Sequence, residues 1–207
     1  GTVLTFFPWL HMGRGRLGTG ETAAVAYSIH PDSTGFWHDH LTRQGFAVKE
    51  ETRFGAPLLA FSDPDGMALE LIANQGKTTF QTWEEGPIPA QHVLRGFHGV
   101  TLWLDEIEPT ARLLTEQMSY SFTGQEGERF RYQGASGDIG LYVDLLHKPG
   151  LAQGRLGAGS IHHIAFRTVD DAEQLEYLGK LRQAGQRVTS VQDRQYFHSI
   201  YFREPGG

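Results

Sequence analysis

The chain contains ten histidines and no cysteine. Any metal it holds must therefore be bound by imidazole and carboxylate, a donor set suited to iron, manganese or zinc. His98 and His163 stand out because each lies seven residues before an aspartate, Asp105 and Asp170, that precedes a helical pattern. A single histidine on an apolar strand is more often a satisfied core residue than a ligand. Two at the same register of related segments are another matter, because pairing of those segments brings both imidazoles toward one axis, where a metal can take them. Strand alternation turns His162 to the face opposite His163 and gives it a structural role. A carboxylate is also needed. Glu70 follows Gly66 by four residues, and the same offset places the corresponding glutamate just beyond Gly207. Asp144 is the alternative within the chain, taking Gly140 as the counterpart of Gly66, and its other reading is an ordinary strand aspartate. Glu70 itself belongs to a segment whose histidine position is Ala24, so it is not assigned a catalytic role.

These residues are positioned by a repeat. A strand at 24–29, an amphipathic helix at 33–44, Gly45, a strand at 46–49 and F-S-D-P-D-G at 61–66 match, element by element, H-I-A-F-R-T at 163–168, a helix at 172–184, Gly185, a strand at 187–191 and F-R-E-P-G-G at 202–207. Asp32 or Ser33 caps the first helix and Asp170 or Asp171 the second, while Gly45 and Gly185 stand where a helix ends in the left-handed conformation. A third copy starts at Gly96, with a helix over 109–118 and a last strand over 141–146. The spacing predicts an α+β fold built from βαβββ modules. Residues 1–7 read as the last strand of a still earlier module, so the first module and the final strand are incomplete. The expected domains are an N-terminal module pair over 1–74, a polar linker over 75–94, and a C-terminal metal-binding pair over 95–207.

Composition narrows the function. A net charge of -6 with no basic block gives no footprint for nucleic acid or an anionic membrane. No apolar run is long enough to span a bilayer, and the cytoplasm is the expected location. R-G-R-L-G-T-G at 14–20 looks like a phosphate loop but follows no strand-to-helix step, and it reads as a flexible connector.

Paired units with histidines on first strands and a glutamate on a last strand resemble the vicinal oxygen chelate superfamily over nearly the whole chain. I-Y-F-R-E-P-G-G at 200–207 is similar to the extradiol dioxygenase signature. Together with G-F-H-G-V-T-L and S-I-H-H-I-A-F-R-T it resembles the ring-cleaving branch that includes hydroquinone-specific enzymes. The resemblance implies four units in two domains, iron(II) as cofactor, His98 and His163 as ligands, and Tyr201 as a phenol that hydrogen-bonds a substrate oxygen. It implies a hydroquinone- or catechol-type aromatic and dioxygen as reaction partners; a homo-oligomer is compatible with it. The signature also expects a histidine six to eight residues before Ile200, where Gln192, Asp193 and Arg194 stand. His198 is then a displaced acid/base or a surface residue, and Arg194 neutralises a phenolate or carboxylate or lies exposed. Two alternatives remain on the same scaffold: a glyoxalase-like isomerase or lyase using manganese, nickel or zinc, and a non-catalytic small-molecule binding protein.

Overall fold

The apolar runs that open the first and third of these copies lie side by side as the two middle strands of one sheet. In the computed structural model, which describes residues 2–76, 83, 85–135 and 139–207, β1 (Glu21–Ile29) runs antiparallel to β5 (Phe97–Leu104). Gly1 of the expected first strand and residues 77–82 and 84 of the expected linker lie outside the described residues.

Each middle strand begins a βαβββ unit. The first unit continues through α1 (Thr34–Arg43), β2 (Lys49–Arg53), β3 (Ala56–Ser62) and β4 (Ala68–Ala73). The second continues through α2 (Glu108–Arg112), β6 (Ser121–Glu126), β7 (Arg129–Gln133) and β8 (Tyr142–His147). In both units the last strand returns parallel to the first, giving the order β2-β3-β4-β1-β5-β8-β7-β6. The helices cover one face. Trp37 and Leu41 of α1 pack on Ile29, Leu59 and Leu71, and Ala111 and Leu114 pack on Leu102, Leu104, Val143 and Leu145. α2 widens into a π-helical turn over Leu113–Gln117, which departs from the regular helix expected over 109–118.

After the sheet, α3 (Asp171–Gln183) begins where the sequence placed it, with the Asp170 carboxylate accepting from the Glu173 N–H at 2.9 Å. Gly45 and Gly185, at φ 88° and 83°, adopt the left-handed conformation just past α1 and α3. A two-residue hairpin of β9 (Gln192–Asp193) and β10 (His198–Ser199) follows. No helix among the described residues is long and apolar enough to cross a membrane.

Several expectations change. Residues 187–191 hold only a bridge from Val188 to Phe202 in place of the expected strand. Residues 2–9 are not a strand, and neither are residues 161–168. A ladder needs a neighbour's N–H and C=O groups, and among the described residues no strand runs beside either segment. The pairing of units differs as well: the sheet joins 21–73 to 97–147 across the expected linker, whereas the domain division placed those segments in separate pairs. Among the described residues, no strand of 148–207 joins that sheet.

The segment read as a flexible connector is held in place. Its G-R-L-G-T-G (residues 15–20) recurs as G-R-L-G-A-G at 154–159, and the two loops cross in a reciprocal pattern. Arg16 and Arg155 exchange N–H···O bonds of 2.8 Å. The Gly15 N–H donates to Ala158 O at 3.0 Å and the Gly154 N–H to Thr19 O at 2.9 Å, while Ala158 N–H bonds Gly13 O and Thr19 N–H bonds Ala152 O. Even the side chains repeat the exchange: Arg16 Nη2 donates to Gln153 O and Arg155 Nη2 to Arg14 O.

Candidate functional site

The two histidines singled out by register end up in different surroundings. In β5, Tyr27 pairs with Phe97 and Ala26 with Gly99, which leaves His98 as the extra residue of a bulge. A bulge re-aims a side chain. Val100, Leu102 and Leu104 face the helices, but the His98 imidazole turns to the opposite face, where its Nδ1 lies 3.3 Å from Ser28 Oγ and its ring 4.7 Å from that of Tyr142. The residue is 6% exposed, and its Nε2 is buried with no hydrogen-bond partner. Burial, reinforced by the Arg131 guanidinium, holds its pKa down at about 4, so the ring is neutral at physiological pH.

An orphaned imidazole nitrogen suggests a metal, but the neighbouring groups do not supply one. Asp144 on β8 is 3% exposed and accepts two parallel bonds from Arg131, Nε to Oδ1 at 2.8 Å and Nη2 to Oδ2 at 2.9 Å. Arg129 Nη1 adds a third at 3.2 Å and also reaches Thr101 Oγ1. Glu70 on β4 is clasped in the same way by Arg53, at 2.6 and 2.8 Å. Arg131 lies over the rings of Phe54 and Tyr142, 4.0 and 4.7 Å from their centroids. Oxygens held in guanidinium forks are drawn away from a cation, and the Arg131 and Arg53 guanidiniums that act on His98 oppose one electrostatically. This group does not fit the expected iron. Asp144 is drawn into ion pairs by Arg131 and Arg129, which take three of its roughly four acceptor sites and disfavour the ligand role expected of it.

His163 lies elsewhere, exposed, in the segment that leads to α3. Because that segment is not a strand, alternation does not separate it from His162; the two Nδ1 atoms are 2.9 Å apart and the rings cross at 84°. One ring must donate and the other accept. The tautomer in which His163 donates leaves its Nε2 lone pair free for a metal, the usual arrangement of a ligating imidazole. Phe7 and Trp9, stacked on each other at 5.3 Å, close around the pair: Phe7 is 5.8 and 6.1 Å from His162 and His163, and Trp9 is 5.3 Å from His162. Tyr201 meets His163 edge-on at 5.9 Å, and the Arg194 guanidinium sits 5.2 Å from the Tyr201 ring centre. The Ser199 hydroxyl first, then Arg194, hold the Tyr201 phenol below its ordinary pKa. His163, Tyr201 and Arg194 thus share one neighbourhood, joined by Phe7 and Trp9, to which the sequence pattern gave no role.

His198 does not join them. Its Nδ1 faces the Asp171 carboxylate at 3.0 and 3.2 Å, and its backbone carbonyl accepts from Gln174 on α3. Hydrogen bonding to Asp171 raises its pKa. It ties the hairpin to the first turn of the helix and is not placed as an acid/base for Tyr201. His98 and His163 share no hydrogen bond or ring contact, and no three His, Asp or Glu side chains among the described residues converge to hold a metal ion.

Comparison with known proteins adds a second line. No protein-family model matches the chain. All of it aligns, at 37% identity, with MhqO of Bacillus subtilis, and at 33% with MhqE of the same organism, both named as ring-cleaving dioxygenases. It is also 33% identical to a chlorohydroquinone/hydroquinone 1,2-dioxygenase of Sphingobium indicum. The chain spans 65%, 67% and 66% of the lengths of these relatives. A Bacillus subtilis crystal structure described as a dioxygenase superposes on it with a TM-score of 0.93 at 37% identity, over 100% of this chain and 66% of that one. A variant of glyoxalase I from Zea mays, 15% identical with a TM-score of 0.62 over 95% of this chain and 66% of its own, shares the fold.

Proposed function

The chain belongs to the ring-cleaving dioxygenases of the vicinal oxygen chelate superfamily, and from that membership we propose that the protein opens the ring of a hydroquinone-type aromatic with dioxygen at an iron(II) centre. The observation that carries this reading is the likeness over all of this chain, and across 65%, 67% and 66% of their lengths, at 33% identity or more, to three such dioxygenases, one of them named for hydroquinones.

Within this chain, His163 is the proposed metal ligand, with Nε2 as the donor atom. His98 and Asp144 are withdrawn from that role by the arginines around them. The second imidazole and the carboxylate belong, on this proposal, to those parts of the relatives' length that the chain does not span. Iron(II), if bound, would bring dioxygen and the substrate oxygens to one centre and offer them a positive charge, while the aromatic ring would supply the electrons that reduce dioxygen as both oxygen atoms enter the product. The residues of this chain have their own tasks. Tyr201 donates its phenolic O–H to a substrate oxygen, Arg194 offsets negative charge on the bound hydroquinone, and Phe7 and Trp9 hold the imidazole pair in place by ring contact. Manganese, nickel and zinc, at the same donors, are the alternative metals.

The decisive experiment measures oxygen uptake on hydroquinones and on catechols, together with iron content, in the full-length protein. Uptake on hydroquinone that tracks iron loading is expected. A protein that binds the aromatic without consuming oxygen at any metal loading would instead be a binding protein.

A further inference from the structure

The crossed G-R-L-G-x-G loops meet more closely than side chains would permit. A Cβ on Gly157 would lie 2.3 Å from Gly15 N and 2.4 Å from Gly13 O, and one on Gly18 would lie 2.3 Å from Ala152 O and 2.5 Å from Gly154 N. These obstacles are backbone atoms, which cannot swing aside. The next pair repeats the relationship: a Cβ on Gly15 would meet Ser160 Oγ at 2.1 Å, and one on Gly154 would meet Glu21 Cγ at 2.1 Å. Gly20 and Gly159, at φ 81° and 82°, stand 2.8 Å, measured from an added Cβ, from Gly206 O and Asp65 O, which are themselves equivalent positions of the F-S-D-P-D-G and F-R-E-P-G-G turns. The crossing is thus two-fold in sequence, hydrogen bonding and steric contact. No ion or phosphate is needed to account for it.

Its two loops lead directly to the candidate site. Residues 13–20 follow the segment that carries Phe7 and Trp9, and residues 152–159 precede the segment that carries His162 and His163. Neither segment has a sheet ladder of its own, so the nearest fixed backbone on each side is the crossing. We propose that the paired loops are a clasp that sets the register of Phe7 and Trp9 against His162 and His163, and that Gly18, Gly157, Arg16 and Arg155 are positioning residues for the reaction. The role of those four aromatic and imidazole rings rests on the proposed dioxygenase function; the clasp itself rests on geometry alone. A loop displaced by one added methyl carries Trp9 or His163 away from its partner.

The test uses the full-length protein with nitrogen-labelled histidine and the variants Gly157→Ala, Gly18→Ala and Arg155→Ala, with Gly179→Ala, whose Cβ meets nothing, as the control. In the clasp variants the imidazole resonances of His162 and His163, which lie against Phe7 and Trp9, should move, while those of His98 stay in place. The turnover number on hydroquinone should fall on the order of a hundredfold for the glycine variants, as a displacement of about 1 Å at a reacting group does. Arg155→Ala, on the surface, gives the same direction if either glycine variant fails to fold, and Arg155→Lys, which keeps a donor for Arg14 O, recovers most of the loss. Unmoved His162 and His163 resonances in Arg155→Ala and in the folded glycine variants would overturn the clasp. Resonances that move in a wild-type background inert toward hydroquinone would uphold the clasp and overturn the dioxygenase reading.

Discussion

Asp144 and Arg131 are register partners on β8 and β7, and they face each other through two parallel hydrogen bonds of 2.8 and 2.9 Å at sites only 3% and 7% exposed. Removing one member of such a pair leaves the other charged, dehydrated and unmatched. Asp144→Asn should therefore lower the unfolding free energy by roughly 3–5 kcal/mol, read by denaturant unfolding. Iron content of the folded fraction should not change. Iron lost at undiminished stability would return Asp144 to the metal.

His98 makes the protein sensitive to mild acid. Its folded pKa, about 4, lies below the ordinary value of 6.5 for this side chain. Between those values the unfolded chain binds the proton and the folded one does not, so stability is full above the upper value and declines as pH falls toward the lower. The decline attributable to this residue is roughly 3 kcal/mol. Urea unfolding at pH 7 and pH 4.5, compared between wild type and His98→Phe, isolates it from the carboxylates. Equal acid sensitivity of the two proteins would contradict the buried, neutral imidazole.

His163→Ala should behave in the opposite way. The residue is exposed and packs no core, so stability should stay within about 0.5 kcal/mol. Metal content and oxygen uptake in the full-length protein should both collapse. His98→Phe, by contrast, should retain its iron. A reversal of these two results would restore His98 as the ligand.

Tyr201→Phe removes one hydroxyl and leaves the ring beside His163. Its turnover on hydroquinone should fall on the order of a hundredfold or more, the usual worth of a positioned proton donor. Arg194→Ala should act chiefly on the Michaelis constant, because an offset charge is felt by bound substrate as well as by the transition state. His198→Ala should cost little in either parameter, since that imidazole is engaged with Asp171. A loss for His198→Ala as large as that for Tyr201→Phe would reinstate it as the acid/base.

Much of the architecture is local and was therefore legible along the chain. The Asp170 cap, the left-handed Gly45 and Gly185, the helix that begins beside Asp170 and the βαβββ order all depend on neighbours within a few residues, and periodicity and capping chemistry report such neighbours directly. The G-R-L-G-x-G repeat was also present in the residues themselves, as two hexapeptides that differ only at the fifth residue, but its meaning as a crossing depended on where the chain folds back.

The rest was decided by contacts between distant segments. Register alone made His98 and His163 equivalent. Which units share a sheet, and the bulge that turns His98 toward Ser28 and Arg131, separated them. Asp144 was a free carboxylate in the sequence and became a clasped one because Arg131 and Arg129 are strand neighbours only after β7 pairs with β8. A strand is likewise not a property of its own residues: 163–168 has the apolar pattern of one, yet without a neighbouring ladder it takes an irregular path that brings His162 and His163 together. Residue type determined which chemistry this protein has available, and tertiary pairing decided which of those groups meet, because hydrogen-bond ladders and ion pairs are satisfied by whatever segment arrives beside them.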